Sequence, residues 1–461
     1  MSLKSFFLAA ALLLLLFPLR AQDSLSYQSL IENAKLYHPL SRQIQLLEQT
    51  AEAELRKARG GLDPKLMAKW DQKQFKSKEY YDIFESYLQL PSIWGINLQA
   101  GYRLAEGYYL NPADQLPAAG QAFLGLEVPI LNGLIQNERR NAIRQAKLLQ
   151  SRNQAEQLAQ INQLLYDISA DYWGWSYKQA CLAIYEENRE IQATQLSQLR
   201  DRFLQGDIAA IDTLKGFIQW QDAGLKQLEA RLASEQAALK VERHLWGEEL
   251  EEKSLPLGSL AQSILALPLT PLDSSDLEEL LARLEQQPEL QSYAFQQQGL
   301  ELEERLKANK LLPKIKLKYN FLAGESLQFG QGSPLEYYKL GVQLEHPILM
   351  RSARGDLALN RLKQQKLDFK FRFKQRDLQT KLKSYFMALQ QAVKQAQLAD
   401  ELVDNYRKLV VAEREKFMLG ESDIFIVNTR QQQYVEAQLK ALKLRYNYIK
   451  SRIAWQWASN W

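Results

Sequence analysis

The sequence predicts a mainly helical protein with a smaller β part, built as two similar halves, each a set of strands joined to a very long helical hairpin. Three features carry that reading. Long stretches lack proline and nearly lack glycine, other segments alternate apolar and polar residues, and the chain repeats itself. With 46% hydrophobic and 24% charged residues, it has the composition of a folded chain.

Residues 1–21 come first. Lys4 precedes an apolar run from Phe6 to Phe17, and Ala21-Gln22 follow. The run is short for a bilayer span, and the order of parts predicts a secretory signal peptide cut near Ala21. No cysteine sits at the cut to take a lipid anchor. Beyond it there is no apolar run of the ~20 residues that a membrane helix needs. The mature chain is therefore expected outside the cytoplasm, either soluble or crossing a membrane by strands.

The long helices follow from the breakers. No proline occurs from 130 to 255 or from 348 to 461, and glycine is sparse in both stretches. Inside a helix proline costs ~3 kcal/mol and glycine ~1 kcal/mol, so the gaps predict helices over 134–205 and 356–419. At ~1.5 Å per residue these reach about 108 and 96 Å and need lateral partners throughout. Val435, Leu439, Leu442, Tyr446, Ile449 and Ile453 supply one coiled-coil seam. Ala392, Ala396, Ala399, Val403, Tyr406 and Val410 supply another.

Strands are predicted where apolar residues alternate. Leu98, Ala100, Tyr102 and Leu104 form one such set, and Leu124, Leu126 and Val128 a second. Ile315, Leu317, Tyr319 and Phe321 form a third, and Leu340, Val342 and Leu344 a fourth. The pattern fits an outer-membrane barrel or a soluble, half-buried sheet.

The repeat sets the organisation. Pro39 and Pro64 return as Pro288 and Pro313; Pro129-Ile130-Leu131 returns as Pro347-Ile348-Leu349; Phe203-x-x-Gly206 returns as Phe417-x-x-Gly420. The first repeat is placed at 22–246, with strand region 65–128 and hairpin 132–246. A linker, 247–276, leads to the second repeat at 277–461, with strand region 314–346 and hairpin 350–461. Gly206 and Gly420 fit the left-handed position that ends a helix, with Asp207 and Ser422 or Asp423 as caps for the next. The first strand region is the longer. Its surplus reads as longer strands with an outer loop, four strands per chain, or as an added hairpin, six per chain. A loop insertion is the less costly.

These motifs, in this order, resemble those of the TolC-like outer-membrane efflux proteins over about residues 25–461. The resemblance implies a homotrimer with an outer-membrane β-barrel and a periplasmic α-barrel. It implies an exit duct of a tripartite efflux pump or one-step secretion system, working with a periplasmic adaptor and an inner-membrane transporter. It also implies a periplasmic mouth at the Gly206 and Gly420 turns, with acidic residues lining a gate. Asp212 matches that pattern; in the second half Ile426 and Thr429 depart from it, leaving Asp423 and Asn428 as substitutes. The competing reading of the acids is as helix caps or first-turn residues. The physics agrees with several copies, because one chain has too few strands to close a wide barrel.

Chemistry is not expected. His38, His244 and His346 have no second histidine or thiol at ligand spacing, so no metal or cofactor is predicted, and no nucleotide-binding or nucleophile motif occurs. Cys181 reads as a buried thiol. Tyr172, Trp173, Trp175 and Tyr177 read as seam packing. A net charge of +4 and the absence of a reading motif argue against nucleic acid. The local exception is basic: from Arg361 to Lys383 nine basic residues, among them Lys370, Arg372, Lys374 and Arg376, face two acids. Arg139, Arg140 and Arg144 occupy the matching place in the first half. This candidate collar would hold lipid phosphates if it faces outward, favour anionic cargo if inward, or simply be a solvated face. The alternative function is an exported structural coiled-coil protein, an adhesin or scaffold.

Overall fold

A computed structural model describes residues 24–256, 258–323 and 336–459. The signal segment lies outside them. In chain order the helices and strands are α1 (Tyr27–Tyr37), α2 (Pro39–Arg59), β1 (Lys65–Phe75), β2 (Lys78–Pro91), β3 (Asn97–Glu106), β4 (Gln121–Pro129), α3 (Glu138–Leu204) and α4 (Ala210–Glu242). Then come α5 (Ser274–Ala282), α6 (Pro288–Asn309), β5 (Lys314–Leu322), β6 (Tyr338–Glu345), α7 (Arg351–Met418) and α8 (Ile424–Ser459). Each half thus runs helix, strands, long helix, turn, returning helix. The chain divides into two compact units, one of residues up to 45, 158–287 and from 375 on, the other of 46–157 and 288–374.

The second unit holds one six-stranded antiparallel sheet in the order β1-β2-β3-β4-β5-β6. The four expected strands are β3 to β6. The surplus is the added hairpin β1–β2, so the four-strand expectation is corrected to six. The hairpin escapes a turn search because Lys76 and Ser77, not Asn-Gly, take the left-handed conformation at φ 50° and 59°. It escapes a period search because β2 carries Tyr81, Ile83 and Tyr87 on the face opposite Phe84, Leu88 and Leu90.

Register makes the two faces explicit. One row across all six strands reads Leu66, Leu88, Ala100, Leu124, Phe321, Tyr338. The row beside it, on the other face, reads Lys65, Gln89, Gln99, Gly125, Asn320, Lys339. Helices of the same unit are joined by polar bonds. Asn153 Nδ2 donates to Leu47 O at 2.9 Å, and fully buried Asn360 donates to Glu303 at 3.2 Å.

The first unit has a continuous apolar core in which Leu164, Ile168, Tyr172 and Trp175 of α3 join Leu389 and Val393 of α7 and Leu442, Tyr448 and Ile449 of α8. The aromatic cluster is core as read. Tyr172, Trp173 and Trp175 are buried, and Tyr177 stacks on Tyr446 at 4.8 Å. Cys181 is buried, and burial raises its thiol pKa. Two tyrosine hydroxyls pin the segment between the halves. Tyr172 donates to Leu25 O at 2.7 Å and accepts Gln262 N–H at 2.9 Å. Tyr448 donates to Pro268 O at 3.1 Å and accepts Thr270 N–H at 3.0 Å.

Candidate functional site

Two places carry the functional reading, one in each unit. The first is the sheet. Its apolar face is uncovered: Leu66 is 77% exposed, and Val342 and Leu344 are each 67% exposed. A soluble sheet buries such a face, whereas a lipid-facing one exposes it. The other face carries charge and a small packed patch, where Tyr87 and Phe123 approach over Gly101. A Cβ on Gly101 would lie 2.4 Å from Tyr87 Cβ, so the glycine is required there. Among the described residues β1 and β6 each have an unpaired edge. Among the described residues no helix is long and apolar enough to cross a membrane.

The second place is the pair of turns after α3 and α7. Gly206 and Gly420 take φ +82° and +77°, the left-handed region that favours glycine. At the first turn Gly206 N–H bonds Phe203 O at 3.0 Å and Asp207 N–H bonds Arg202 O at 3.0 Å. At the second, Gly420 N–H bonds Phe417 O at 3.2 Å and Glu421 N–H bonds Lys416 O at 2.9 Å. Both are complete Schellman caps, so the Phe-x-x-Gly repeat is a repeat of geometry. The Arg202 guanidinium lies 5.0 Å from the Phe417 ring centre and ties one turn to the other.

The acids near the turns have local partners. Asp423 is the cap of α8: its Oδ1 accepts Phe425 N–H at 2.6 Å. Asp207 does not cap α4. The preceding loop is longer, and Ala209 holds the N-cap position without a side-chain bond. Asp212 lies in the first turn of α4 and pairs with Lys215 at 3.0 Å. Asn428 is half-buried, and its Oδ1 has no hydrogen-bond partner among the described residues.

The basic clusters are less naked than the sequence implies. Arg139 donates to Asn97 Oδ1 at 2.8 Å, and Arg140 N–H is capped by Asn137 at 2.8 Å. Arg144 lines a groove with Lys147, Glu301 and Arg305. Arg372 pairs with Asp368 at 3.0 Å, and α6 brings Glu289 to Lys374 at 2.6 Å and Glu304 to Arg361 at 2.8 Å. Lys370 and Arg376 are exposed.

Two features go beyond the expectations drawn from the sequence. One is a buried chain of side chains. Leu40 N–H donates to His38 Nδ1 at 3.2 Å, which leaves the His38 proton on Nε2, facing His244 Nδ1 at 3.4 Å. His244 Nε2 then donates to Asp171 Oδ2 at 2.9 Å, and Arg243 reaches the same oxygen at 2.7 Å. Burial, then the His244 ring and the Arg243 cation, lower the His38 pKa to about 4. Burial alone would raise the Asp171 pKa; bonds from His244 and Arg243 outweigh it and lower it. The other feature is an unpartnered seam. Ile211, Ile218, Leu225, Leu232 and Leu239 follow at heptad spacing along α4, and all are exposed, as are Met387, Leu398, Leu402 and Leu409 on α7.

No family model matches the sequence, and no curated relative matches it. Solved structures do. The Campylobacter jejuni CmeC outer membrane channel is similar at TM-score 0.68 and 13% identity, over 94% of this chain and 84% of that one. The Vibrio cholerae outer membrane protein VceC is similar at TM-score 0.66 and 12% identity, over 94% and 95% of the two chains. The Neisseria gonorrhoeae MtrE outer membrane channel, in its open state, is similar at TM-score 0.65 and 12% identity, over 94% and 88%. The chain therefore has the fold of these outer-membrane channels, the fold that its resemblance to TolC-like proteins implies.

Proposed function

We propose that three copies of this chain form an outer-membrane channel, the passive exit duct of an efflux or secretion system. One observation carries the reading: a six-stranded sheet has an exposed apolar face, a charged opposite face and two open edges. In hydrocarbon an open edge leaves backbone groups unsatisfied, so β6 of one copy must pair with β1 of the next until the ring closes. Three copies supply eighteen strands, enough to enclose an aqueous lumen. The free apolar seams on α4 and α7 support the same arrangement, since copies around a ring bury one against the other. In this reading the turns at Gly206 and Gly420 form the periplasmic mouth, Asp212 is the candidate gate acid, and a periplasmic adaptor and inner-membrane transporter deliver cargo. The basic residues from Arg361 to Lys383, with Arg140 and Arg144, are the candidates to meet lipid phosphates, while Arg139 is held by Asn97 on the charged face of the sheet.

The test is fractionation of producing cells followed by electrophoresis with and without heating. Recovery in the outer-membrane fraction as a trimer that heat converts to monomer is expected. Recovery as a soluble periplasmic monomer would refute the channel and favour the scaffold reading.

A further inference from the structure

We infer that the charged face of the sheet makes the lumen selective for anionic cargo; the inference rests on the channel reading above. β5 carries Lys314, Lys316 and Lys318 on this face, and Lys339 of β6 joins them through its pairing with Asn320. Two carboxylates answer the four lysines. Glu127 lies 3.6 Å from Lys316 and 3.5 Å from Lys318, so one acid serves two ammonium groups. Glu345 pairs with Lys314 at 3.2 Å. Lys339 has no carboxylate within ion-pair distance among the described residues.

The excess extends beyond this hairpin. On β1 Lys65, Lys69 and Lys73 share the face with Asp71. Arg103 of β3 is the balanced point, held by Glu85 at 3.7 Å and by Asp114 of the following loop at 2.7 Å. The side chains of Lys316 and Lys318 are 46% and 53% exposed, so their charge reaches the water beside the wall.

Symmetry repeats this surplus three times around the lumen. The low-dielectric wall holds the field in the water column, where it raises the local concentration of anions and lowers that of cations. The Debye length is ~10 Å at 0.1 M salt and ~3 Å at 1 M, so the preference fades as salt screens the wall. The cargo class that follows is solutes with net negative charge, such as carboxylates, phosphates or sulfates.

The experiment is a reversal-potential measurement on the purified full-length trimer in planar bilayers under a KCl gradient. The wild type is expected to favour chloride over potassium near 0.1 M and to lose that preference near 1 M. A Lys316→Gln, Lys318→Gln, Lys339→Gln variant should move the permeability ratio at least about twofold toward potassium. Arginine at the same three positions should restore it. A conducting wild type that favours potassium, or a conducting variant with unchanged reversal potential, overturns the inference and leaves the channel standing. Absence of any step conductance from a reconstituted trimer overturns both. The wild-type sign alone decides the matter if the glutamine variant does not assemble.

Discussion

Acidification should loosen the unit that contains His38, and the structure sets the size of the effect. A second proton on His38 must go to Nδ1, which already faces the Leu40 N–H at 3.2 Å, while Nε2–H faces His244. Protonation therefore breaks a bond and leaves a cation in a buried site beside Arg243. The folded His38 pKa is about 4 against 6.5 for the free side chain. Between those values the unfolded chain binds the extra proton, so stability is complete above pH 6.5 and falls as pH drops toward 4. From pH 8 to pH 5 the loss is about 2 kcal/mol per chain, at 1.36 kcal/mol per pKa unit. Thermal unfolding of the purified protein, followed by circular dichroism at pH 8, 6.5 and 5, reads it. A His38→Gln variant should be less stable at pH 8 yet show a flatter slope between pH 6.5 and 5. Equal slopes in the two proteins would refute the reasoning. Asp171 belongs to a lower window: its pKa is depressed, so its contribution holds above its ordinary 3.8 and is lost below that.

Three other outcomes follow from the geometry. Tyr448→Phe removes the hydroxyl that accepts the Thr270 N–H and donates to Pro268 O, and should cost about 0.5–1.5 kcal/mol. Faster cleavage within 247–276 in limited proteolysis, at unchanged yield of folded protein, is the readout, and an unchanged rate counts against the clamp. Leu225→Glu places a carboxylate in the exposed α4 seam and should lower the trimer fraction on unheated gels while leaving monomer helicity intact. Asp423→Ala removes the α8 cap and should cost about 0.5–2 kcal/mol, whereas Asp212→Ala breaks an exposed pair worth at most about 1 kcal/mol. If neither variant changes closure or cation block in single-channel records, the gate role of these acids is lost.

The long helices were legible because nothing else sustains so many residues without a breaker. The ends show the limit of that rule. The helix expected over 356–419 begins earlier, at Arg351, and runs through Gly355, since one glycine costs ~1 kcal/mol and a long helix absorbs it. Strands β3 to β6 were legible because one face meets a single environment and period two survives. Hairpin β1–β2 was legible only as the second of two readings, because the charged face of β2 carries Tyr81, Ile83 and Tyr87 and the turn uses Lys76-Ser77. At the turns, Gly206 and Gly420 were legible as a motif, but whether each acid caps depends on loop length, which the motif leaves open. The His38–His244 pair joins residues 206 apart in sequence. No spacing rule reaches that far; only the packed core brings the rings together.

The sheet's strand order bears on how the chain is made. Every junction but one joins strands close in sequence, and β1 to β4 form a local meander. The β4–β5 junction pairs Phe123 with Leu322, about 200 residues later. As the chain folds from its N-terminal half, the meander can be complete while its β4 edge waits for a partner not yet delivered, and an open edge is a template for any strand offered. The interval is one of kinetic hazard, in which two nascent chains can exchange strands before either has its own β5. The unfinished edge therefore needs cover, from a holding chaperone or from prompt arrival of the second half of the chain.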